Sequence, residues 1–573
     1  MTVPATTVCV VGAGALGLAA TKAFLDDGFQ VTGFEAREYV EGLWKDSHDA
    51  TISVHATTVF NSSKWRIAFS DFPLSDEADI YPTAAQIHQY LESYADHFGL
   101  AEKYRLGTKV LQMRHTGKQW AVTVQTIKPD QQPRTEYFDK VCVATGAFHK
   151  PRWPKIEGLE GFQGQVLHSI NFHGDQKYPD QNVLLVGLHA TAQDVCCALA
   201  KPGNAKHVYM AHRKGVLLLP RFRPDGSTFD AHGTVKMTFM MTFMNKYLNA
   251  PFWWMMQRVL TKQSQEGFPD APEAWQLSPS PSVVVRTPLM ADALWSLLKS
   301  GFAEPVSTIR RISGPKSIEL VDGRTLDDID TIIYCTGYHF SLPDGFIPQD
   351  VDAEGYNLYP PGRESREPRL YRNVFPMHEN AEIRNSLAYL GHGYIPFPGF
   401  VQFEMTAAAV SQVWRGRSPL PSLPQMQAWF TQHLRRRKAL RDRYLPLENS
   451  TFYPILLDIT DSLEWIDQTA GAGLYKNLGG GWVNWRAWKL WWEDKEFYHI
   501  LLNGVFTPAI WRLFETGKHR ALPWDECKQM IISENKRAEA DQRAKLASLQ
   551  AKNGSAKSSL QAKKRRYNTL YIA

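Results

Sequence analysis

Three glycines at Gly12, Gly14 and Gly17, a carboxylate at Glu35 and two cations at Arg213 and Lys214 are residue types that can hold phosphorylated nucleotides and tell them apart. In Gly12-Ala13-Gly14-Ala15-Leu16-Gly17 the first glycine permits a tight turn. The second lacks a Cβ, so a pyrophosphate can approach the backbone, and the third lets a helix press onto a strand. The helix N-terminus attracts the phosphate charge. Glu35 can accept bonds from both ribose hydroxyls of an adenosine and would disfavour a 2′-phosphate, so this first site is read as one for FAD. A second loop, Gly187-Leu188-His189-Ala190-Thr191-Ala192, repeats the pattern imperfectly, with His189 placing a side chain where the pyrophosphate should pass. Asp194 follows in the first turns of the next helix, and Arg213 and Lys214 offer what a 2′-phosphate needs, which points to NADPH rather than NADH. The chemistry implied is redox chemistry carried by two dinucleotides, with the protein supplying orientation and dryness.

These residues need strands and helices to position them. Val8-Cys9-Val10-Val11 is a buried-strand run, Leu18 to Leu25 is helix-prone, and a second strand over Gln30–Phe34 ends at Glu35. Asn182–Val186, a helix over 193–200 and a strand over 207–211 repeat the unit before Arg213. Ala144-Thr145-Gly146 and Thr336-Gly337 close two further strands, Lys140–Val143 and 331–334, at points where the chain either crosses between domains or simply turns. Asn61 follows an expected strand over 57–60 and, taken alone, reads as an Asx turn. There is no obvious carboxylate pair, Ser/His/Asp set or metal-ligand spacing, so acid–base hydrolysis and metal catalysis are not indicated. The fold class is α/β, with two Rossmann-like dinucleotide-binding domains.

Between the two units lies the block Phe162-Gln163-Gly164-Gln165-Val166-Leu167-His168-Ser169-Ile170-Asn171-Phe172. With it the sequence resembles the class B flavin-containing monooxygenases, whose identifying pattern FxGxxxHxxxF it matches through Phe162, Gly164, His168 and Phe172. Glu41-Gly42-Leu43-Trp44, Asn61-Ser62-Ser63-Lys64, Ser70-Asp71-Phe72-Pro73, Val143-Ala144-Thr145-Gly146 and Cys335-Thr336-Gly337-Tyr338 match in the family's order. The resemblance implies that NADPH reduces FAD and that a flavin hydroperoxide then passes one oxygen atom to an amine nitrogen or thioether sulfur. It implies flavin contacts at Gly12 through Gly17, Glu35, Leu43, Trp44, Asn61, Ser62, Thr145 and Gly146, and NADPH contacts at Gly187, Thr191, Ala192, Asp194, Arg213 and Lys214. Asn61 is the expected catalytic residue, its amide able to donate and accept beside an oxygen adduct of changing charge. His168 is expected to be structural. Two alternatives stay open: Baeyer-Villiger oxygenation of a ketone, disfavoured by Phe172 where that subgroup usually has Trp, and a flavin-binding partner or slow oxidase whose NADPH site His189 impairs.

The expected organisation is a discontinuous flavin domain over 1–172 and 331–444, with the helix over 403–414 aiming its N-terminus at the flavin ring. The NADPH domain spans 173–330 and carries an insertion over 216–281. An aromatic-rich helical extension covers 445–533 and a basic tail 534–573. At 573 residues and 44% hydrophobic there is ample core, and no uncharged apolar stretch approaches membrane-spanning length. The start carries no secretory pattern and the six cysteines no disulfide or metal spacing, which predicts a cytoplasmic setting. The net charge of +6 comes from the tail, with ten Lys and Arg against three Asp and Glu, so the body is near neutral and no nucleic-acid partner is indicated. That tail, with Lys563-Lys564-Arg565-Arg566, is expected to be a solvated, frayed helix. The insertion carries Met237, Met240, Met241 and Met244 beside Phe239, Phe243 and Tyr247, which suits a substrate tunnel, a peripheral membrane contact or plain packing. In the extension, Trp482, Trp485, Trp488, Trp491 and Trp492 form an indole face expected to be buried. Partners are a small-molecule substrate, by resemblance a specialised metabolite, and O2.

Overall fold

The computed structural model describes residues 5–45, 54–127, 131–148, 150–173, 177–339, 342, 346, 369–444, 455–480, 484–516 and 522–570, the last of these from 552 onward as main chain only. The chain opens with β1 (Thr7–Val11), α1 (Ala15–Asp26) and β2 (Gln30–Phe34), and β1 pairs in parallel with β2 so that Val10 faces Gly33. Val8, Cys9 and Val10 are wholly buried, as a central parallel strand covered on both faces requires. α2 (Ala84–His97) begins with a reciprocal Thr83–Gln86 capping box and buries Ile87, Leu91 and Tyr94. β3 (Tyr104–Arg105) and β4 (Lys140–Val143) extend the sheet on either side, with an antiparallel three-stranded sheet over 108–138 between them in the chain.

The chain then crosses to a second parallel sheet. Its members are β5 (Gln165–His168), β6 (Asn182–Val186), β7 (His207–His212), β8 (Ala303–Ser307) and β9 (Ile329–Tyr334), with α3 (Ala190–Leu199) after β6. The strand order is β8-β7-β6-β9-β5. β5 lies wholly before residue 172 and β9 runs across residue 330, so β5 and the greater part of β9 join the second sheet from outside the 173–330 span assigned to it. The fingerprint block is that edge: His168 of β5 pairs with Tyr334 of β9, and a Cβ on Gly164 would lie 2.3 Å from the Asp330 carbonyl oxygen. His168 is fully buried, accepts from the Ile170 N–H at Nδ1 and sets Nε2 3.2 Å from the Gly337 carbonyl, the structural role expected of it. The outgoing and returning linkers pair as an antiparallel ribbon, Lys150–Pro151 with Tyr338–His339.

Within the insertion, α4 (Val235–Tyr247) and α5 (Asn249–Gly267) form a helical pair, with Pro251 in the first turn of α5 where its missing N–H costs nothing. After the insertion and second sheet, β10 (Leu387–Tyr389) returns to the first sheet beside β4, giving the order β10-β4-β1-β2-β3. The first sheet is therefore discontinuous in sequence. α6 (Val401–Trp414) packs along α1, with Trp414 stacked on Phe24 at 4.9 Å. Buried Asp27 accepts from Gln412 at 2.6 Å and from Arg417 at 3.0 Å, fixing the far end of α6.

α7 (Ile459–Ala470) packs on α6 through Ala408, Ala409, Trp465 and Ala470. Two expectations fail in this region. α8 (Trp485–Glu493) buries Ala487 and Leu490, so its indole face points outward, with Trp485 64% and Trp492 83% exposed. Trp482 lies outside the described residues. α9 (Trp524–Leu570) is not a frayed tail at its start, because Glu534, Asn535 and Ala538 are buried and Asp541 pairs with Lys64 at 3.1 Å. The side chains of Lys563 to Arg566 also lie outside the described residues. Among the described residues no helix is long and apolar enough to cross a membrane.

Candidate active site

Gly12 stands at φ +102°, and a Cβ there would lie 2.7 Å from the Ala144 carbonyl oxygen, so the turn after β1 excludes any side chain. Its N–H donates to the Phe34 carbonyl at 2.8 Å. A Cβ on Gly17 would sit 1.8 Å from the Gly12 carbonyl oxygen, so the helix presses on the turn that ends β1, one step beyond the strand contact the sequence predicts. Gly14 caps α1 and faces Gly42, whose Cβ would come within 2.9 Å of the Gly14 Cα. Main chain thus lines the turn on two sides, and the Gly42–Trp44 turn brings Leu43 and Trp44 beside it. Glu35 accepts from the Ala13 N–H at 2.7 Å and the Arg37 N–H at 2.9 Å, and burial raises its pKa against those amides. Thr145 Oγ1 is buried without a hydrogen-bond partner among the described residues, Gly146 turns at φ +76°, and a Cβ on Gly391 would meet Leu16 at 2.7 Å. Main-chain cradle, orphaned hydroxyl and carboxylate together fit a dinucleotide.

The second turn has the same construction. Gly187 stands at φ +133°, a Cβ there would lie 2.6 Å from the Cys335 carbonyl oxygen, and its N–H donates to the Ala211 carbonyl at 2.9 Å. His189 occupies the N-cap of α3 in an extended conformation open to any residue. Its Nε2 lies 3.0 Å from the Thr287 carbonyl oxygen, which can only accept, so Nε2 carries the proton. Burial, with the nearby Arg286 charge, holds the imidazole neutral by lowering its pKa to about 4. The Thr287 side chain in turn hydrogen-bonds Tyr394, whose pKa burial pushes up to about 12. Thr191 is exposed and Ala192 buried at the start of α3.

Asp194 faces the segment that follows the first dinucleotide turn. Its Oδ2 accepts from the Thr58 hydroxyl at 2.8 Å and its carbonyl from the Thr57 hydroxyl at 3.0 Å, and burial raises its pKa to about 6. Those contacts explain why 57–60 is not the expected strand: it makes one bridge, Val59 to Thr83. Asn61 follows in a bend, exposed and with no hydrogen bond among the described residues, so its amide is not spent on an Asx turn. Its neighbours are fixed, Phe60 stacked on Trp44 at 5.3 Å and Ser63 hydrogen-bonded to Asp230 of the insertion at 2.8 and 3.0 Å. Ser62 is half-buried between them.

The model of the flavin-binding monooxygenase-like proteins matches residues 5–464. The chain belongs to that family. The monooxygenase aurF of Gibberella zeae is 31% identical to this flavin-binding monooxygenase over 555 residues, covering 94% of this chain and 99% of the relative. Among solved structures, S-allyl-L-cysteine S-oxygenase from Allium sativum superposes with a TM-score of 0.57 at 19% identity, over 87% of this chain and 95% of that one. Cyclohexanone monooxygenase from Rhodococcus sp. Phi1 bound to NADP+ does so with a TM-score of 0.57 at 17% identity, over 83% and 99%. These two share its fold.

In this flavin-binding monooxygenase Arg213 and Lys214 are exposed just past β7. Two further guanidiniums gather there that sequence reasoning missed. Burial and the Arg213 charge lower the pKa of both Arg152, on the outgoing linker, and Arg286, after the insertion. Like charges held together in this way suit a dianionic ligand. Neither residue lies near Arg213 in sequence, and neither sits in a motif, so no local signal marked them.

Proposed function

We propose that this flavin-binding monooxygenase uses FAD and NADPH to transfer one oxygen atom from O2 to a nucleophilic nitrogen or sulfur of a small organic substrate, a specialised metabolite in type. The observation that carries the reading is the equivalence of the two turns: Gly187 repeats the steric exclusion and hydrogen bond of Gly12, although His189 replaces a glycine. FAD would be held by Gly12 to Gly17, Glu35, Leu43, Trp44, Ser62, Thr145 and Gly146. NADPH would be held by Gly187, Thr191, Ala192 and the Arg213, Lys214, Arg152 and Arg286 cluster, with Asp194 acting through Thr58. When bound, the flavin reduced by the nicotinamide would activate O2, one oxygen atom passing to the substrate and the other leaving as water.

The chain's own part is placement. Asn61 offers an unspent amide that both donates and accepts, held between anchored Phe60 and Ser63. Trp44, Phe60 and Phe400 form an aromatic wall on one side of this segment, with ring centroids 5.3 to 6.4 Å apart. The Thr58–Asp194 bond ties that segment to α3, so nicotinamide placement and the Asn61 amide are positioned together.

Anaerobic mixing with NADPH tests the reading directly. Bleaching of the flavin band, followed in air by faster NADPH consumption with amines or thioethers, is the expected result. A flavin that stays oxidised would overturn it, and acceleration by ketones alone would replace it with ketone oxygenation.

The insertion supports a peripheral membrane contact. α4 turns polar Thr242 and Asn245 inward, Asn245 bonding Thr460 at 2.9 Å, while Phe243 is 58% and Tyr247 64% exposed. Sedimentation with lipid vesicles, lost on Phe243→Ser with Tyr247→Ser, is the expected outcome.

A further inference from the structure

The loop after β2 and one face of α2 bring together three side chains that oxygen transfer leaves without a role. Glu41 is 1% exposed and stands at φ +84°, in the left-handed region that glycine enters freely and glutamate rarely. Its main chain is pinned there, the N–H donating to the Ala13 carbonyl at 2.8 Å and the residue bridging to Gly14. This conformation throws the side chain onto α2, where Oε2 contacts Nδ1 of His88. The contact is not a hydrogen bond, and Glu41 Oε2 has no hydrogen-bond partner among the described residues. Glu92 lies one helical turn beyond His88 on the same face, its Oε2 3.8 Å from His88 Nε2. One donor atom from each of Glu41, His88 and Glu92 lies within 4.8 Å of the other two.

We propose that Glu41, His88 and Glu92 form a binding site for one divalent transition-metal ion of the zinc class. An imidazole nitrogen with two carboxylate oxygens is a donor set such ions favour, and small side-chain rotations bring the donors to the roughly 3.4 Å spacing that a tetrahedral ion with ~2.1 Å bonds imposes. His88 is 26% and Glu92 52% exposed, which leaves an entry path and room for a water as fourth ligand, while Glu41 supplies the rigid inner donor. The charged groups facing Glu41 are the carboxylates of Glu92 and Asp96, opposed by Lys45, so a dication relieves crowded negative charge and engages a buried oxygen that makes no hydrogen bond among the described residues. Because the Glu41 main chain abuts Ala13 and Gly14, the ion braces the phosphate turn against α2. It takes no part in oxygen transfer, and the site stands whether or not that reading holds.

Calorimetric titration of the chelator-treated full-length protein with Zn2+ alone tests this. One equivalent is expected to bind, at least tenfold more weakly in His88→Ala and in Glu92→Ala, and without saturation in Glu41→Gly. Glu41→Gly removes the ligand while suiting the left-handed backbone, so it retains the fold. Zn2+ is also expected to raise the thermal midpoint of the natural protein and not that of Glu41→Gly. Absence of a saturable equivalent in the natural protein, or binding unchanged in both Glu41→Gly and His88→Ala, would overturn the assignment.

Discussion

His189 donates from Nε2 to the Thr287 carbonyl at 3.0 Å, spanning the insertion in sequence to fasten the second turn to the segment that follows it. The imidazole has a partner of its own, so replacing it by glycine removes a bond and adds backbone freedom. His189→Gly is expected to leave NADPH affinity within about threefold and to cost on the order of 1 kcal/mol of stability. The dependence of anaerobic flavin reduction on NADPH concentration checks the first point. A tenfold gain would mean that the imidazole obstructs the phosphate path.

The same residue makes stability depend on pH. Its pKa falls to about 4 in the folded protein against 6.5 unfolded, so between those values the unfolded chain binds the extra proton. Stability is therefore complete above about pH 6.5 and declines as pH falls towards 4, by roughly 2 kcal/mol at pH 5 from this group. His168, lowered by burial to about 4, acts in the same direction. Denaturation midpoints measured from pH 7 to pH 5 should fall, and more gently in His189→Gln, which does not titrate.

Arg213 is the exposed member of a cluster with Arg152 and Arg286. Loss of one charge-assisted phosphate contact is worth about 10- to 100-fold in affinity. Arg213→Ala should raise the KM for NADPH by that factor while leaving NADH almost unchanged. Equal effects on both cofactors would remove the 2′-phosphate from this cluster.

Asn61→Ala should leave flavin reduction by NADPH intact and uncouple it from oxygen transfer, with product per NADPH falling about tenfold or more and hydrogen peroxide rising. Parallel assays of NADPH, product and peroxide decide the matter. Unchanged coupling would reduce Asn61 to a surface amide.

Arg512, 2% exposed, donates to Ser70 at 2.7 Å and pairs with Glu404 at 2.8 Å and Glu515 at 2.5 Å. Burial opposes its charge, but Glu404, Glu515 and Asp71 more than offset that penalty. Arg512→Ala strands these carboxylates and should cost about 3–5 kcal/mol, whereas Lys246→Ala, breaking an exposed pair with Glu464, should cost under about 1 kcal/mol. Urea midpoints of the two variants provide the comparison.

What was legible in the sequence was local and steric. Gly12, Gly17 and Gly187 are where they are because a carbonyl oxygen lies under each, and strand-turn-helix patterning locates such places without coordinates. Glu35 could be placed because it ends β2 beside its own turn. Arg152 and Arg286 could not, since they meet Arg213 only through the linker and the end of the insertion. The outward indoles of α8 were misread for a related reason: spacing shows that Trp485, Trp488 and Trp492 share a face, but only packing shows that Ala487 and Leu490 take the buried side. The stretch 57–60 has strand-like composition, yet Thr57 and Thr58 commit their hydroxyls to Asp194 from another domain.

The Arg512 junction also sets an order of events during synthesis. Ser70, Asp71 and Glu404 come off the ribosome well before the guanidinium that neutralises them, and β10 must arrive before the first sheet is complete. The flavin-side half therefore cannot reach its final packing as an early, self-contained folding unit, although its first strand is made at the outset. A chain stalled anywhere before residue 512 would leave Asp71 and Glu404 without the guanidinium that neutralises them, so the closing of this junction waits for nearly the entire polypeptide.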